Sequence, residues 1–223
     1  MTPDDYSAHL PRLNHYLTGL QAMLARLPLR DIQRLIDLLI AANAEGRTVF
    51  ILGNGGSAAT ASHLACDLAK NTIAPDVPRF RVVALTDNVP LITAWANDTA
   101  YENVFAEQLD ALVRPGDVVI GISGSGNSEN VLRAIRLANE RGATTVGLTG
   151  YDGGRLKGMV ALSVHVPHPN MEQVEDAHLI LEHMICTTLR AELRDHAAGQ
   201  TEEWLDRPEQ IDLAESAIVE PVH

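Results

Sequence analysis

Two cysteines in 223 residues, Cys66 and Cys186, are too few for a disulfide framework and suit a reducing compartment. Aromatic residues make up only 4%, too sparse for a platform on which bases stack. No apolar run approaches the roughly 18 residues that a membrane span needs. Positive charge is scarce too. Seventeen Lys and Arg stand against 29 Asp and Glu, and the net charge of −12 would repel a phosphate backbone. The sequence thus argues against nucleic acid and membrane as direct partners. The acidic start Met1-Thr2-Pro3-Asp4-Asp5 lacks the basic and apolar stretches of a signal peptide, and the expected compartment is the cytoplasm.

What is present is an ordinary apolar complement, 46% of residues, enough to bury one large core. The charge is uneven: nine acids and two bases fall in Ala191–His223, whereas the preceding 190 residues carry a net −5. Residues 197–223 lack a sustained helical or alternating pattern and read as a solvated acidic tail. Residues 1–196 read as a single domain, with no linker, internal repeat or low-complexity tract.

Within that domain, helix and strand signals alternate. Leu13, Leu17, Leu20 and Leu24 repeat at helical spacing up to Pro28, and a second helix, about Arg30–Glu45, stops at Gly46. Five short, continuously apolar runs follow: Thr48–Leu52, Arg81–Leu85, Val118–Ile122, Thr144–Leu148 and Leu162–Val166. Such runs suit parallel strands buried on both faces. Between them lie helical stretches at Ser57–Ala69, Pro90–Ala96 with Glu102–Leu112, and Ser128–Arg141, and a long one, about Met171–Arg194, comes last. The prediction is an α/β domain with a doubly wound five-stranded parallel sheet flanked by helices, extra helices at the N-terminus and a long helix at the C-terminus.

In such a sheet, ligands sit beyond the carboxyl ends of the strands. There the first strand runs into Gly53-Asn54-Gly55-Gly56-Ser57 and the third into Ser123-Gly124-Ser125-Gly126-Asn127-Ser128, each opening a helix. Glycine lets backbone amides close around an anion, and the helix behind aims its unpaired N–H groups at the same spot. Hydroxyl and amide side chains add neutral donors, as a phosphate monoester requires. Gly53-x-Gly55-x-x-Ala58 also fits a loose dinucleotide fingerprint, but no acid ends the second strand where a ribose partner is expected, and no Lys follows the glycines as a P-loop requires. A small phosphorylated molecule is favoured over NAD or ATP.

Two helices carry polar faces. His63 and Asp67 are four residues apart on the helix behind the first loop, with Cys66 near that face. On the last helix Glu175, Asp176, His178, Glu182 and His183 crowd together, and His183 lies about two turns from Glu175. His63, Asp67, Glu175 and His183 make a divalent-metal set, suited to zinc, iron or manganese. His63 and Asp67 lie roughly 9 and 15 Å along the helix from Ser57. A seven-carbon sugar phosphate spans on the order of 10 Å, so a phosphate at the loop places the far end of the sugar beside them.

The two loops, together with Thr86-Asp87-Asn88, Ala96-Asn97-Asp98 and Leu148-Thr149-Gly150-Tyr151-Asp152-Gly153-Gly154, resemble the signature of sugar isomerase (SIS) domains. More narrowly, Tyr6–Arg190 resembles the sedoheptulose 7-phosphate (phosphoheptose) isomerases. The resemblance implies conversion of sedoheptulose 7-phosphate to D-glycero-D-manno-heptose 7-phosphate through a metal-assisted enediol, in a homotetramer with active sites between subunits. Asn54, Gly55, Ser57, Asp98, Ser123, Gly124, Ser125, Ser128 and Glu175 would bind the phosphosugar. Zinc or another divalent metal would sit on His63, Asp67, Glu175 and His183. Asp67, or Glu175 in its place, would be the base, and His183 the proton donor. Three positions depart from the family's pattern: Asp67 stands for a Glu, Glu175 for a Gln, and Gly124 for a threonine. These departures keep two alternatives open, a non-catalytic SIS adaptor resembling factors that associate with the replication initiator, and an isomerase or sensor for another phosphosugar.

Overall fold

The structure, a computed structural model, describes residues 9–199; the acidic tail from residue 200 lies outside the described residues. Two helices lead in, α1 (Leu10–Leu24) and α2 (Leu29–Ala44). The alternating part then runs β1 (Thr48–Gly53), α3 (Gly56–Lys70), β2 (Arg81–Ala84), α4 (Val89–Asp98), a 3-10 turn at Tyr101–Asn103, α5 (Ala106–Asp110), β3 (Val118–Ser123), α6 (Glu129–Glu140), β4 (Thr144–Thr149), α7 (Gly154–Lys157) and β5 (Leu162–His165). The long helix α8 (Met171–Ala197) closes the chain.

All five strands are parallel, in the order β2-β1-β3-β4-β5. Alternate side chains of each strand feed two cores. Val49, Ile51, Val118, Ile120, Val146 and Leu148 join α2, α3 and α8 on one face, while Phe50, Leu52 and Val119 join α5, α6 and α7 on the other. The sheet is doubly wound, and its strand order reverses between β1 and β3. Both glycine–serine loops leave the sheet at that point, where the chains diverge and open a crevice.

Burial on both faces holds for β1, β3 and β4 and fails at the edges. In β2, Arg81 and Val83 are exposed, and β5 alternates between buried and half-buried residues. An edge strand has no neighbour on one side to cover it. The leucine repeat of α1 also has a different outcome from the one its spacing suggests. Leu13 and Leu17 are exposed, as is Leu10 before them, while Leu20 and Leu24 pack half-buried against the core beside the buried Met23. Polar bonds tie down the outer half of α1: the Tyr16 hydroxyl donates to the Asp176 carboxylate (2.5 Å) and Gln173 Nε2 donates to the Tyr16 carbonyl (2.8 Å).

The packing that matters most for the site is the seam between α3 and α8. Ala61, Leu64, Ala65 and Leu68 of α3 are buried in the same core as Ala177, Leu181, Ile185 and Leu189 of α8. Each buried leucine or isoleucine contributes about 2 kcal/mol, so the two helices are held in one register. The polar side chains beside this apolar seam inherit that register.

Candidate active site at the sheet edge and the seam between α3 and α8

The first loop turns on Gly55, whose φ of +55° and ψ of −122° exclude a side chain. It is also the N-cap residue of α3, so no side chain covers the first amides of that helix. Asn54 is fixed from two sides: its amide and that of Asn130 exchange hydrogen bonds of 2.8 and 2.9 Å, and the Tyr101 hydroxyl donates to Asn54 Oδ1 at 2.9 Å. Asn130 lies in the first turn of α6, so this bond joins the two loops.

The second loop turns on Gly126 (φ +64°). A methyl group there would strike the Gly153 carbonyl, so the glycine turn after β4 braces the loop from behind. Asn127 accepts from the Arg155 amide and donates to the Ser125 carbonyl. Ser128 is the N-cap residue of α6, yet its hydroxyl makes no cap bond and faces Ser123 Oγ at 3.3 Å. A capping residue that leaves its own helix uncapped keeps both its hydroxyl and the helix amides for a ligand. Ser57 and Ser123 are buried. Ser125 and Asn127 also line a cavity of about 670 Å³ with Tyr151, Asp152, His168 and Met171.

Further along the seam, His63 and Asp67 of α3 meet His183 of α8. The two imidazoles touch edge to face, with ring centroids 4.9 Å apart. A fourth residue completes the group, Glu182, and one ligand atom from each of His63, Asp67, Glu182 and His183 lies within 4.8 Å of the others. His183 Nε2 and His63 Nδ1 are 3.4 and 3.9 Å from Glu182 Oε2, and His63 Nε2 is 3.9 Å from Asp67 Oδ1. Asn71 Nδ2 donates to Asp67 at 2.6 Å and holds that carboxylate in place. Burial pushes the Glu182 carboxyl above its ordinary range, partly offset by His63 and His183. The Cys186 thiol is pushed up as well, by burial and by the negative charge of Glu182 and Asp67.

Glu175, grouped by spacing with His63, Asp67 and His183, is not in this set. Its carboxylate packs against Gly56 at the start of α3, so close that a methyl group there would collide with it. The two helices run side by side in one direction, so a residue two turns earlier on α8 meets α3 two turns earlier. Asp98 is exposed at the end of α4 and accepts from Asn97.

Sequence spacing names Glu182 on the polar face of the last helix but leaves it out of the metal set, and it passes over Asn130 and Tyr101. Glu182 belongs to the buried stripe Val174, Ala177, His178, Leu181, Ile185, Cys186 and Leu189, and a carboxylate on an apolar stripe is itself a signal. Asn130 and Tyr101 gave no local pattern; the fold alone brings them to Asn54.

The SIS domain family model matches residues 15–150. A phosphoheptose isomerase of Geobacter sulfurreducens is 37% identical over 197 residues, covering 85% of this chain and 98% of its own. One from Geotalea daltonii is 39% identical over 169 residues, covering 73% and 84%. The chain belongs to the phosphoheptose isomerase family. The phosphoheptose isomerase structure from Neisseria gonorrhoeae superposes with a TM-score of 0.74 at 31% identity, covering 85% of this chain and all of that one. That from Francisella tularensis gives 0.76 at 29%, covering 82% and 99%.

For a phosphoheptose isomerase relative, the departure at Gly124 has a visible neighbour. A side-chain carbon at that position would meet Met171 Sδ and come within 3.7 Å of Val174. The space a threonine would fill is taken by methionine.

Proposed function

We propose that this chain isomerises sedoheptulose 7-phosphate to D-glycero-D-manno-heptose 7-phosphate, an aldose–ketose interconversion through an enediol. The observation that carries the reading is the placement of two anion-binding loops at the β1/β3 divergence, with His63 one and a half turns along the same helix. Phosphate is assigned to Ser57, Ser123, Ser125 and Ser128, with the backbone at Gly55 and Gly124 and the side chain of Asn54. Asp98 and Glu175 complete the sugar contacts.

A phosphate on the first loop leaves carbon 1 and carbon 2 of a seven-carbon chain at the level of His63, since about 10 Å of sugar matches six helical residues at about 1.5 Å each. There the Asp67 carboxylate reaches back to within 3.9 Å of the His63 ring while the His183 ring touches it. Asp67 removes a proton from C1, the C1–H electron pair becomes the C1–C2 double bond, and the C2 oxygen takes a proton from His183. Return of the first proton to C2, and of the O1 proton to His183, leaves the aldehyde at C1. Glu175, two turns away at the loop, is the less well placed of the two proposed bases.

The donor set fits a divalent metal. Tetrahedral zinc with bonds of roughly 2.1 Å needs ligand atoms about 3.4 Å apart, and His63 Nε2 and Asp67 Oδ1 are 3.9 Å apart. Zinc, held by His63, Asp67 and His183, would polarise the C2 carbonyl as a Lewis acid. A nitrogen bound to metal carries no proton, so His183 exchanges its proton only while that nitrogen is free. A homotetramer in the cytoplasm completes the reading; the exposed Leu10, Leu13 and Leu17 of α1 support burial against other subunits. Among the described residues no helix is long and apolar enough to cross a membrane.

The test is incubation of the purified protein with sedoheptulose 7-phosphate, with and without a chelator. The expected outcome is an aldose product that disappears on chelation and returns with metal. No aldose under any metal supplement would assign the chain to the non-catalytic adaptors.

A further inference from the structure

Two rungs join α3 to α8. At the lower one His183 touches His63. At the upper one, eight residues earlier on α8 and seven earlier on α3, the Glu175 carboxylate packs against Gly56. Its carbon and both oxygens lie within 2.5 Å of the place a side-chain carbon of residue 56 would take, so glycine alone leaves room for it. The rungs are about 10–12 Å apart at about 1.5 Å per residue. Among the described residues no hydrogen bond or ion pair engages Glu175. An acid in this place works against a loop that holds phosphate, because two anions so close repel each other. The amide that the family's pattern carries at this position would make the same contact without that penalty. An amide does not exchange protons near neutral pH, nor do the side chains of Asn54, Ser57, Ser123 and Ser128 on the two loops; a carboxylate does.

The substrate assigned to the site has a use for such a group. A seven-carbon ketose with hydroxyls on C5 and C6 closes onto C2 as a five- or six-membered hemiketal, which has no carbonyl from which an enediol could form. Closure also shortens the molecule: the anomeric carbon then lies about 7 Å from phosphorus, against about 10 Å for C1 of the extended chain. With phosphate on the first loop, the cyclic sugar falls short of the lower rung, and its ring oxygen and anomeric hydroxyl stand at the upper one.

We propose that Glu175 opens the sugar ring, a step that precedes the enediol chemistry and rests on the phosphoheptose reading of the site. The carboxylate takes the proton of the anomeric hydroxyl, and that O–H pair becomes the second bond of the C2 carbonyl. The bond from C2 to the ring oxygen breaks with its pair left on that oxygen, which takes the proton back from Glu175. The carboxylate ends unchanged, and the extended chain delivers C1 and C2 to the lower rung. The two acids act in sequence, Glu175 on the ring and Asp67 on the chain.

The test compares full-length wild type and Glu175→Gln on sedoheptulose 7-phosphate and on its 5,6-dideoxy analogue, which lacks both ring-closing hydroxyls. On the natural sugar, Glu175→Gln is expected to lower kcat by about tenfold or more. KM is expected to fall with it, because the repulsion on the phosphate leaves with the charge. On the open analogue kcat is expected to differ from wild type by less than about threefold. A second readout needs no isomerisation. In the Asp67→Asn background, exchange between the anomers of the sugar phosphate, followed by NMR magnetisation transfer, is expected to be accelerated by the protein and to return to the uncatalysed rate when Glu175→Gln is added. Equal losses of kcat on sugar and analogue, or anomer exchange indifferent to Glu175→Gln, would overturn the role of Glu175 and leave the isomerase reading standing on wild-type turnover. A wild type that accelerates anomer exchange yet forms no aldose would support ring opening by the site and overturn the isomerase reading.

Discussion

Asn54, Asn130 and Tyr101, at the loop end of α3, close a set of hydrogen bonds at 2.8–2.9 Å, whereas two turns along the seam between α3 and α8 the acids Asp67 and Glu182 crowd against His63 and His183. The loop end is braced by glycine turns and amide side chains, and it leaves the first amides of α3 and α6 uncapped for a ligand. The far end gathers two acids and two imidazoles in a partly buried patch. The difference matches what each end is proposed to hold. A phosphate brings its own charge and acceptors to a rigid cradle, so the cradle is best finished in advance. A cation must instead be met by a concentration of negative charge, which the fold tolerates only if something later neutralises it.

The largest effect that would separate the two ends comes from Asp67. Asp67→Asn removes the proposed base and is expected to lower kcat by about 10²–10⁴-fold while KM stays within a few-fold, because the loop still holds the phosphate. A rise in KM with kcat intact would mean that the seam binds substrate and does no chemistry. Asp67→Glu sharpens the point, since it adds the methylene that the family's pattern carries. If this chain has adapted to the shorter acid, through Asn71 and the neighbouring Glu182, the longer side chain will not improve turnover.

A second contrast lies within α8, where His178 shares the buried stripe with Glu182. Burial pulls the His178 imidazole from an ordinary 6.5 down to about 4, so it is neutral in the folded protein near pH 7. Between those two values the unfolded chain binds more protons than the folded one. Stability is therefore intact above about 6.5 and is lost as pH falls towards 4, at a cost of about 2 kcal/mol between pH 7 and pH 5. Glu182 works in the opposite direction, because acid relieves its buried charge. Chemical denaturation of wild type and His178→Leu at the two pH values isolates the histidine: the loss should shrink in the variant by that amount. An equal loss in both proteins would place the acid sensitivity elsewhere.

The sheet and its loops were legible because their signals are local. A run such as Val118-Val119-Ile120 followed by Ser123-Gly124-Ser125-Gly126 declares strand, turn and helix start within a dozen residues, and β3 and α6 lie there. His63 and Asp67 were legible for the same reason, one helical turn apart. What periodicity could not supply was the vertical register of α8 against α3. It set Glu175 and His183 on one face, correctly for the helix, and had no means to tell which of them reaches the level of His63. The apolar packing of Leu64 and Leu68 with Leu181 and Ile185 decides that. The edge strands and α1 illustrate the same limit: a leucine repeat specifies an apolar face and does not say what covers it.

The smallest expected effect concerns the second loop and tests whether the cradle is as complete as its hydrogen bonds suggest. Gly124 has an ordinary φ, so the backbone accepts a side chain there, and the obstacle is Met171. Methionine is flexible and moves aside at modest cost. Gly124→Thr alone is expected to leave stability nearly unchanged and KM slightly raised, as Met171 is displaced towards Ser125 and the cavity they share. In the Met171→Ala background the same threonine has room, and its hydroxyl adds one donor worth about 1 kcal/mol. The double variant should then bind the phosphosugar a few-fold more tightly than Met171→Ala alone, read as KM at constant kcat. If the threonine gives no gain with the methionine gone, the loop's donors already saturate the phosphate, and the departure at position 124 shapes the cavity without weakening the anion site.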